Sequence, residues 1–115
     1  MLVVDDQEEV RELLARALQA AGFVVRTATN GLEALIAAYE MRPAVIVMDV
    51  SIPVLDGVRA TRLIKATQAT RDAKVIAYTG KIAFDRSADT LFAAVLQKPA
   101  TLDTVLATVR QCASL

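Results

Sequence analysis

No histidine occurs anywhere in the chain. That absence removes Ser-His-Asp and Cys-His nucleophilic catalysis and every histidine-ligated zinc or haem site. A single cysteine, Cys112, excludes an internal disulfide and a thiolate zinc site, and fits a reducing compartment. Cys112 lies in a helical pattern with nothing to activate it and reads as a packing residue. Net charge is missing as well. Thirteen basic and thirteen acidic side chains cancel, which argues against direct nucleic-acid binding or an anchor on an anionic membrane. No apolar run is long enough to span a bilayer and no secretory signal heads the sequence, so a cytoplasmic setting without membrane contact is expected. Internal repeats, low-complexity tracts and linkers are also absent.

What is present points to a single folded domain over residues 1–115. The chain is 55% apolar and 23% charged, long enough to bury a real core and too apolar to be disordered. With histidine and cysteine chemistry excluded, the usable groups are carboxylates, hydroxyls, backbone and one or two amines. Such oxygen ligands suit hard cations such as magnesium.

The run Ala44-Val45-Ile46-Val47-Met48 is short, β-branched and unalternating, as in a strand covered by helices on both faces. Asp49 follows it directly, and Pro53, Asp56 and Gly57 mark a loop beyond. At the chain's start Met1 to Val4 repeats this logic and ends in Asp5-Asp6. Capping of the next helix would explain one of those two aspartates but not both. That helix shows Val10, Leu13, Leu14, Ala17, Leu18 and Ala21 at helical spacing, with Gly22 as its stop. Phe23 to Ala28 reads as the second strand, followed by an Asn30-Gly31 turn. The next helix is expected to turn Leu32, Leu35, Ile36 and Tyr39 toward the core. A third helix sets Ala60, Leu63, Ile64 and Thr67 on one face. Lys74 to Tyr78 reads as the fourth strand, closed by Thr79-Gly80, and Ala93 to Gln97 as the fifth, ended by Lys98-Pro99. A short or irregular helix is expected around Asp85 to Leu91, and the last helix carries Leu102, Val105, Leu106 and Val109. Alternating strands and helices imply an α/β fold: a doubly wound, five-stranded parallel sheet in the flavodoxin-like order 2-1-3-4-5.

In such a sheet the strand ends share one edge. Asp5, Asp6, Asp49, Thr79 and Lys98 would then meet. Two carboxylates some 4 Å apart repel by about 4 kcal/mol at an effective dielectric of about 20. A divalent cation removes that repulsion, and one lysine cannot balance three charges. A carboxylate nucleophile, a metal, a hydroxyl and an ammonium are the equipment of phosphoryl transfer. Each residue also has a plainer reading. Asp49 could cap a turn or helix, Thr79 could end a strand, Lys98 could be an ordinary surface lysine, and Asp56 fits a turn before Gly57. Ser51 has no base beside it and is a poor nucleophile.

Val3-Val4-Asp5-Asp6, Val47-Met48-Asp49, Ile52-Pro53 with Asp56-Gly57, Thr79 and Lys98-Pro99 stand in the order found in one family. Along nearly its whole length the chain resembles the receiver domain of two-component response regulators, the CheY-like group. The resemblance implies that Asp49 accepts phosphate from a phosphohistidine on a histidine kinase or histidine phosphotransfer protein. It also implies a magnesium site at Asp5, Asp6, Asp49 and the backbone carbonyl of Ser51, with Thr79 and Lys98 contacting phosphoryl oxygens. Phosphorylation would switch contact with a downstream effector protein, so the domain would not be an enzyme beyond its own phosphotransfer and dephosphorylation. A monomer or weak dimer is expected, either as a stand-alone receiver or as part of a longer regulator or hybrid kinase.

Three departures stand out from the family pattern. Val95 takes the place of the usual switch aromatic, Leu91-Phe92-Ala93-Ala94 replaces a small-residue turn, and the Thr79–Lys98 segment looks short. They allow an alternative, a receiver-like interaction module acting independently of phosphorylation. Phe84, Leu91 and Phe92 would be core or partner surface. An aspartate-nucleophile phosphatase fits less well, since Asp49-Val50-Ser51 lacks a second acid, and no phosphate-cradling loop supports a flavodoxin.

Overall fold

A computed structural model describes residues 1–52, 54–80 and 91–114. In chain order these form β1 (Leu2–Val4), α1 (Glu8–Ala20), β2 (Arg26–Ala28), α2 (Gly31–Met41), β3 (Val45–Met48), α3 (Gly57–Ala66), β4 (Lys74–Thr79), β5 (Ala94–Gln97) and α4 (Leu102–Ala113). All strands are parallel, in the order β2-β1-β3-β4-β5. The doubly wound sheet expected from the apolar runs is therefore present. The irregular helix expected over Asp85 to Leu91 falls almost wholly outside the described residues, as does Phe84.

Period-two alternation sends each strand's side chains into two separate cores. Leu2, Val4, Ile46, Met48, Val75 and Ala77 face the side covered by α2 and α3. Val3, Val45, Val47, Ile76 and Tyr78 face the side covered by α1 and α4. Both faces of β1, β3 and β4 are dry, which is why these three strand sequences do not alternate in polarity. Cys112 is buried in the second core, as its helical position suggested, and Phe92 belongs to the first.

Several element ends differ from the sequence reading for identifiable reasons. The second strand is shorter than Phe23–Ala28, because β1, its one neighbour among the described residues, offers three residues for pairing. Neither Asp5 nor Asp6 caps α1: its cap is Gln7, which contributes no side-chain bond. At its other end the Gly22 N–H donates to Gln19 and the Phe23 N–H to Leu18, with Gly22 at φ +101°, a left-handed stop that glycine adopts without strain. Asn30-Gly31 is not a turn but the start of α2. The Asn30 side chain accepts from the Glu33 N–H, while Glu33 accepts from Thr29. Asp56 likewise caps α3 by accepting from the Arg59 N–H at 2.9 Å.

The main correction concerns which face of α2 is buried. Ala34, Ala37 and Ala38 enter the core, whereas Leu32 (49%), Ile36 (50%) and Tyr39 (59%) remain exposed and only Leu35 packs partly inward. The start of the helix is held hard against the loop before α3. A Cβ on Gly31 would stand 1.7 Å from the Leu55 carbonyl oxygen. Leu13 and Leu63 are also exposed although their spacing placed them on core faces.

Gly31→Ala is expected to destabilise the protein by about 3 kcal/mol, since the methyl group meets backbone that cannot yield. Urea unfolding measures this, and a loss under about 1 kcal/mol would show that α2 can shift away from Leu55.

Candidate functional site

The carboxyl ends of four strands deliver the polar residues to one edge. The Asp5 N–H donates to the Ala28 carbonyl and the Asp49 N–H to Val4, so β1 and β3 carry their pairing up to the two aspartates. Thr79 is the last residue of β4, and its carbonyl accepts from the Lys98 N–H at 2.8 Å. The loop after Asp49 folds back because the Gly57 N–H donates to Val50 at 3.0 Å. A Cβ on Gly57 would lie 2.5 Å from the Asp49 carbonyl oxygen, so the close approach needs glycine.

At this edge Asp5 is fully buried and Asp49 is only 5% exposed. The Lys98 ammonium lies between them, 2.7 Å from Asp5 Oδ2 and 3.3 Å from Asp49 Oδ2. It also stands 5.2 Å from the centre of the Tyr78 ring. Each buried carboxylate accepts a backbone N–H on its other oxygen: Asp5 from Gln7 at 2.8 Å, Asp49 from Ser51 at 3.0 Å. Asp6 is exposed and completes a cluster in which one carboxylate oxygen each from Asp5, Asp6 and Asp49 lies within 4.8 Å of the others. An open depression over the cluster is lined by Asp6, Gln7, Asp49, Ser51, Thr79 and Lys98.

The electrostatics follow from these distances. Burial pushes the Asp49 carboxyl up, and the Asp5 charge acts in the same sense; the Ser51 N–H and Lys98 offset this only in part. For Lys98 burial alone acts downward, but the bond to Asp5 and the charges of Asp49 and Asp5 outweigh it, and the net direction is up. Asp49 thus moves up chiefly through its burial, and Lys98 through the carboxylates beside it, the Asp5 bond foremost.

The structure thus brings together Asp5, Asp6, Asp49, Thr79 and Lys98, with Ser51 held by its N–H. Sequence reasoning missed Arg11 and Tyr78 as contributors and took Gly57 only as a loop marker within the family pattern. The Arg11 guanidinium donates to the Asp5 carbonyl at 3.0 Å and ties down the turn that carries the acid pair. Tyr78 supplies the ring beside Lys98, and Gly57 the close approach behind Asp49. Arg11 had no sequence signal beyond its helical phase. Tyr78 could have been found from its place next to Thr79.

The donor set fits a hard divalent cation: three carboxylate oxygens close together, a net negative balance even with Lys98, and one exposed ligand that leaves room for coordinated water.

Comparison with known proteins accords with this geometry. Residues 1–110 match the family model described as the response regulator receiver domain. The chain belongs to that family. It is 48% identical over 66 residues to the transcriptional regulatory protein PrrA of Mycobacterium tuberculosis, covering 57% of this chain and 28% of PrrA. It is 35% identical over 113 residues to the response regulator MprA of Mycobacterium sp. strain KMS, covering 96% of this chain and 48% of MprA. The chain thus spans about half the length of MprA, and its match covers 28% of PrrA. Among solved structures, Vibrio cholerae CheY4 superposes with TM-score 0.88 at 28% identity, over 96% of this chain and 95% of that one. The receiver domain of the sensor histidine kinase PA1611 of Pseudomonas aeruginosa, solved with magnesium coordinated in its active-site cleft, gives TM-score 0.90 at 27% identity, over 99% and 96%. Receiver domains are signalling modules that work with kinases and effectors and bind magnesium at an acidic cluster of this kind. Among the described residues no helix is long and apolar enough to cross a membrane.

Two measurements on the metal-free receiver test the charge balance. Because the native Asp49 carboxyl is raised, its contribution favours folding most at acid pH and is lost as pH rises through the native value. Asp49→Asn is therefore expected to raise Tm by a few degrees at pH 7, with the gain vanishing toward pH 3. A variant less stable than wild type at pH 7 would contradict the raised value. Lys98→Met leaves the fully buried Asp5 without a counter-charge and should cost about 3 kcal/mol in denaturant unfolding at pH 7.

Proposed function

We propose that residues 1–115 form one phospho-accepting receiver unit in which Asp49 takes a phosphoryl group from a phosphohistidine on a histidine kinase or histidine phosphotransfer protein. In this step the donor's N–P bond breaks as an Asp49 Oδ–P bond forms, and the imidazole nitrogen keeps the electron pair. The observation that carries the reading is the Asp49 carboxylate itself. It is nearly buried at the end of the central strand, within reach of one ammonium and two further carboxylates. The chain has no histidine, so it can accept phosphate but cannot be the histidine donor.

Asp5, Asp6 and Asp49, with the Ser51 backbone carbonyl, are the residues that would hold magnesium. Magnesium, when bound, neutralises the acid cluster and the charge on the transferring oxygens. Lys98 supplies a positive charge for one phosphoryl oxygen once it leaves Asp5, and the Thr79 hydroxyl donates to another. The Ser51 N–H orients the nucleophile through Asp49 Oδ1. Water attack on the resulting acyl phosphate returns the carboxylate, so turnover is the domain's own dephosphorylation rather than catalysis on a separate substrate. The new charge would alter contact with a downstream effector.

Val95 favours a second reading. This position, half-exposed on β5, carries no aromatic ring to move with Thr79. An interaction module independent of phosphorylation would bind its effector equally well as wild type and as Asp49→Asn.

Incubation with acetyl phosphate and magnesium, read by intact mass, should add one phosphoryl group to the wild type and none to Asp49→Asn. Lys98→Ala should slow labelling by about a hundredfold, the scale of one removed electrostatic donor. Equal labelling of Asp49→Asn, or labelling unaffected by EDTA, would refute the assignment.

A further inference from the structure

The outward face of α2 is apolar. Leu32, Ile36 and Tyr39 stand at i, i+4 and i+7 and form one row along the helix, each about half exposed. On the neighbouring α3, Leu63 is exposed too. At 100° per residue Leu63 lies nearly opposite Lys65, whose ammonium bonds the carbonyls of Arg71 and Ala73 on the β4 side. Leu63 therefore faces α2. Tyr39 and Arg42 border the same depression as Thr67, Gln68 and Ala69 just past the end of α3, so the Tyr39 end of the α2 row adjoins α3.

Charge is sorted across this patch. Along the β2 side of α2 run Glu33, bonded to Thr29, and Glu40, paired with Arg26. On the outward face of α3 stand Arg59, paired with Asp56, and Arg62, which has no ion-pair partner among the described residues. With Arg26 offsetting Glu40 and Asp56 offsetting Arg59, the charge of Glu33 is left over on one flank and that of Arg62 on the other.

Such a surface is complementary to itself. A two-fold axis running along α2 sets Ile36 against its own copy and brings the acidic flank of each molecule to the basic flank of the other. The opposite choice, an axis across the helix, would oppose arginine to arginine. We propose that the α2–α3 face is a self-association surface whose occupant is a second copy of this chain. Four half-exposed side chains make a small interface, so the dimer is weak, half-formed at about 100 µM. This does not depend on the phosphoryl-transfer reading, since none of these residues belongs to the acidic edge.

Sedimentation velocity of the whole chain between about 10 µM and 1 mM tests the proposal. The average mass should rise from the 12.3 kDa of one chain toward twice that value, and less so at high salt. Ile36→Arg sets like charges against each other across the axis and should hold the protein monomeric. Arg62→Glu should weaken association about tenfold. Both positions are exposed enough for the variants to fold, which thermal melting checks; Tyr39→Arg replaces Ile36→Arg should that variant melt early. A wild type that remains monomeric up to 1 mM would overturn the proposal, leaving the patch to another partner. So would a dimer that forms undiminished in folded Ile36→Arg and Arg62→Glu, because the contact would then lie elsewhere.

Discussion

One ammonium between two buried carboxylates governs the working edge of this receiver. Asp5 is fully enclosed and Asp49 nearly so, and burying two carboxylates together is costly unless a positive charge meets them. Lys98 meets them, and the rest of the edge serves that contact. The parallel pairing of β1, β3, β4 and β5 brings residues far apart in the chain to one line. Two backbone N–H groups, from Gln7 and Ser51, fix the other oxygen of each carboxylate. Gly57 lets α3 start directly behind Asp49.

The same contact accounts for the site's asymmetry. Lys98 favours Asp5 over Asp49, so the central carboxylate is the less well compensated of the two. A carboxylate held this way is raised, desolvated and open to a depression on one side. Those properties suit the role proposed for Asp49 as a phosphoryl acceptor. The Tyr78 ring beside Lys98 gives the ammonium a second favourable contact.

The two helices on the α2–α3 side show how hydrophobic periodicity can mislead. α2 has two apolar faces, one of alanines and one of Leu32, Ile36 and Tyr39. Hydropathy ranks the larger side chains as the core, yet α2 starts against the Leu55 backbone at Gly31 and turns its alanine face inward. Strand lengths went astray for a related reason. Phe23–Val25 have strand-like residues, but parallel pairing ends where β1 ends.

The primary structure by itself determined the fold class, the strand order and the residues of the acidic edge. Unbroken apolar runs ending in Asp5-Asp6, Asp49, Thr79 and Lys98 leave few alternatives once the strands are parallel, because topology puts all those ends together. Helix-stop chemistry at Gly22 was legible for the same local reason. Tertiary structure alone decided how the charges pair, which face of α2 meets the sheet, and that Asn30 and Asp56 begin helices instead of turns. Arg11's bond to the Asp5 carbonyl was equally invisible. These are matters of distance between segments remote in the chain, and a linear pattern records what a residue is but not how near its neighbours come.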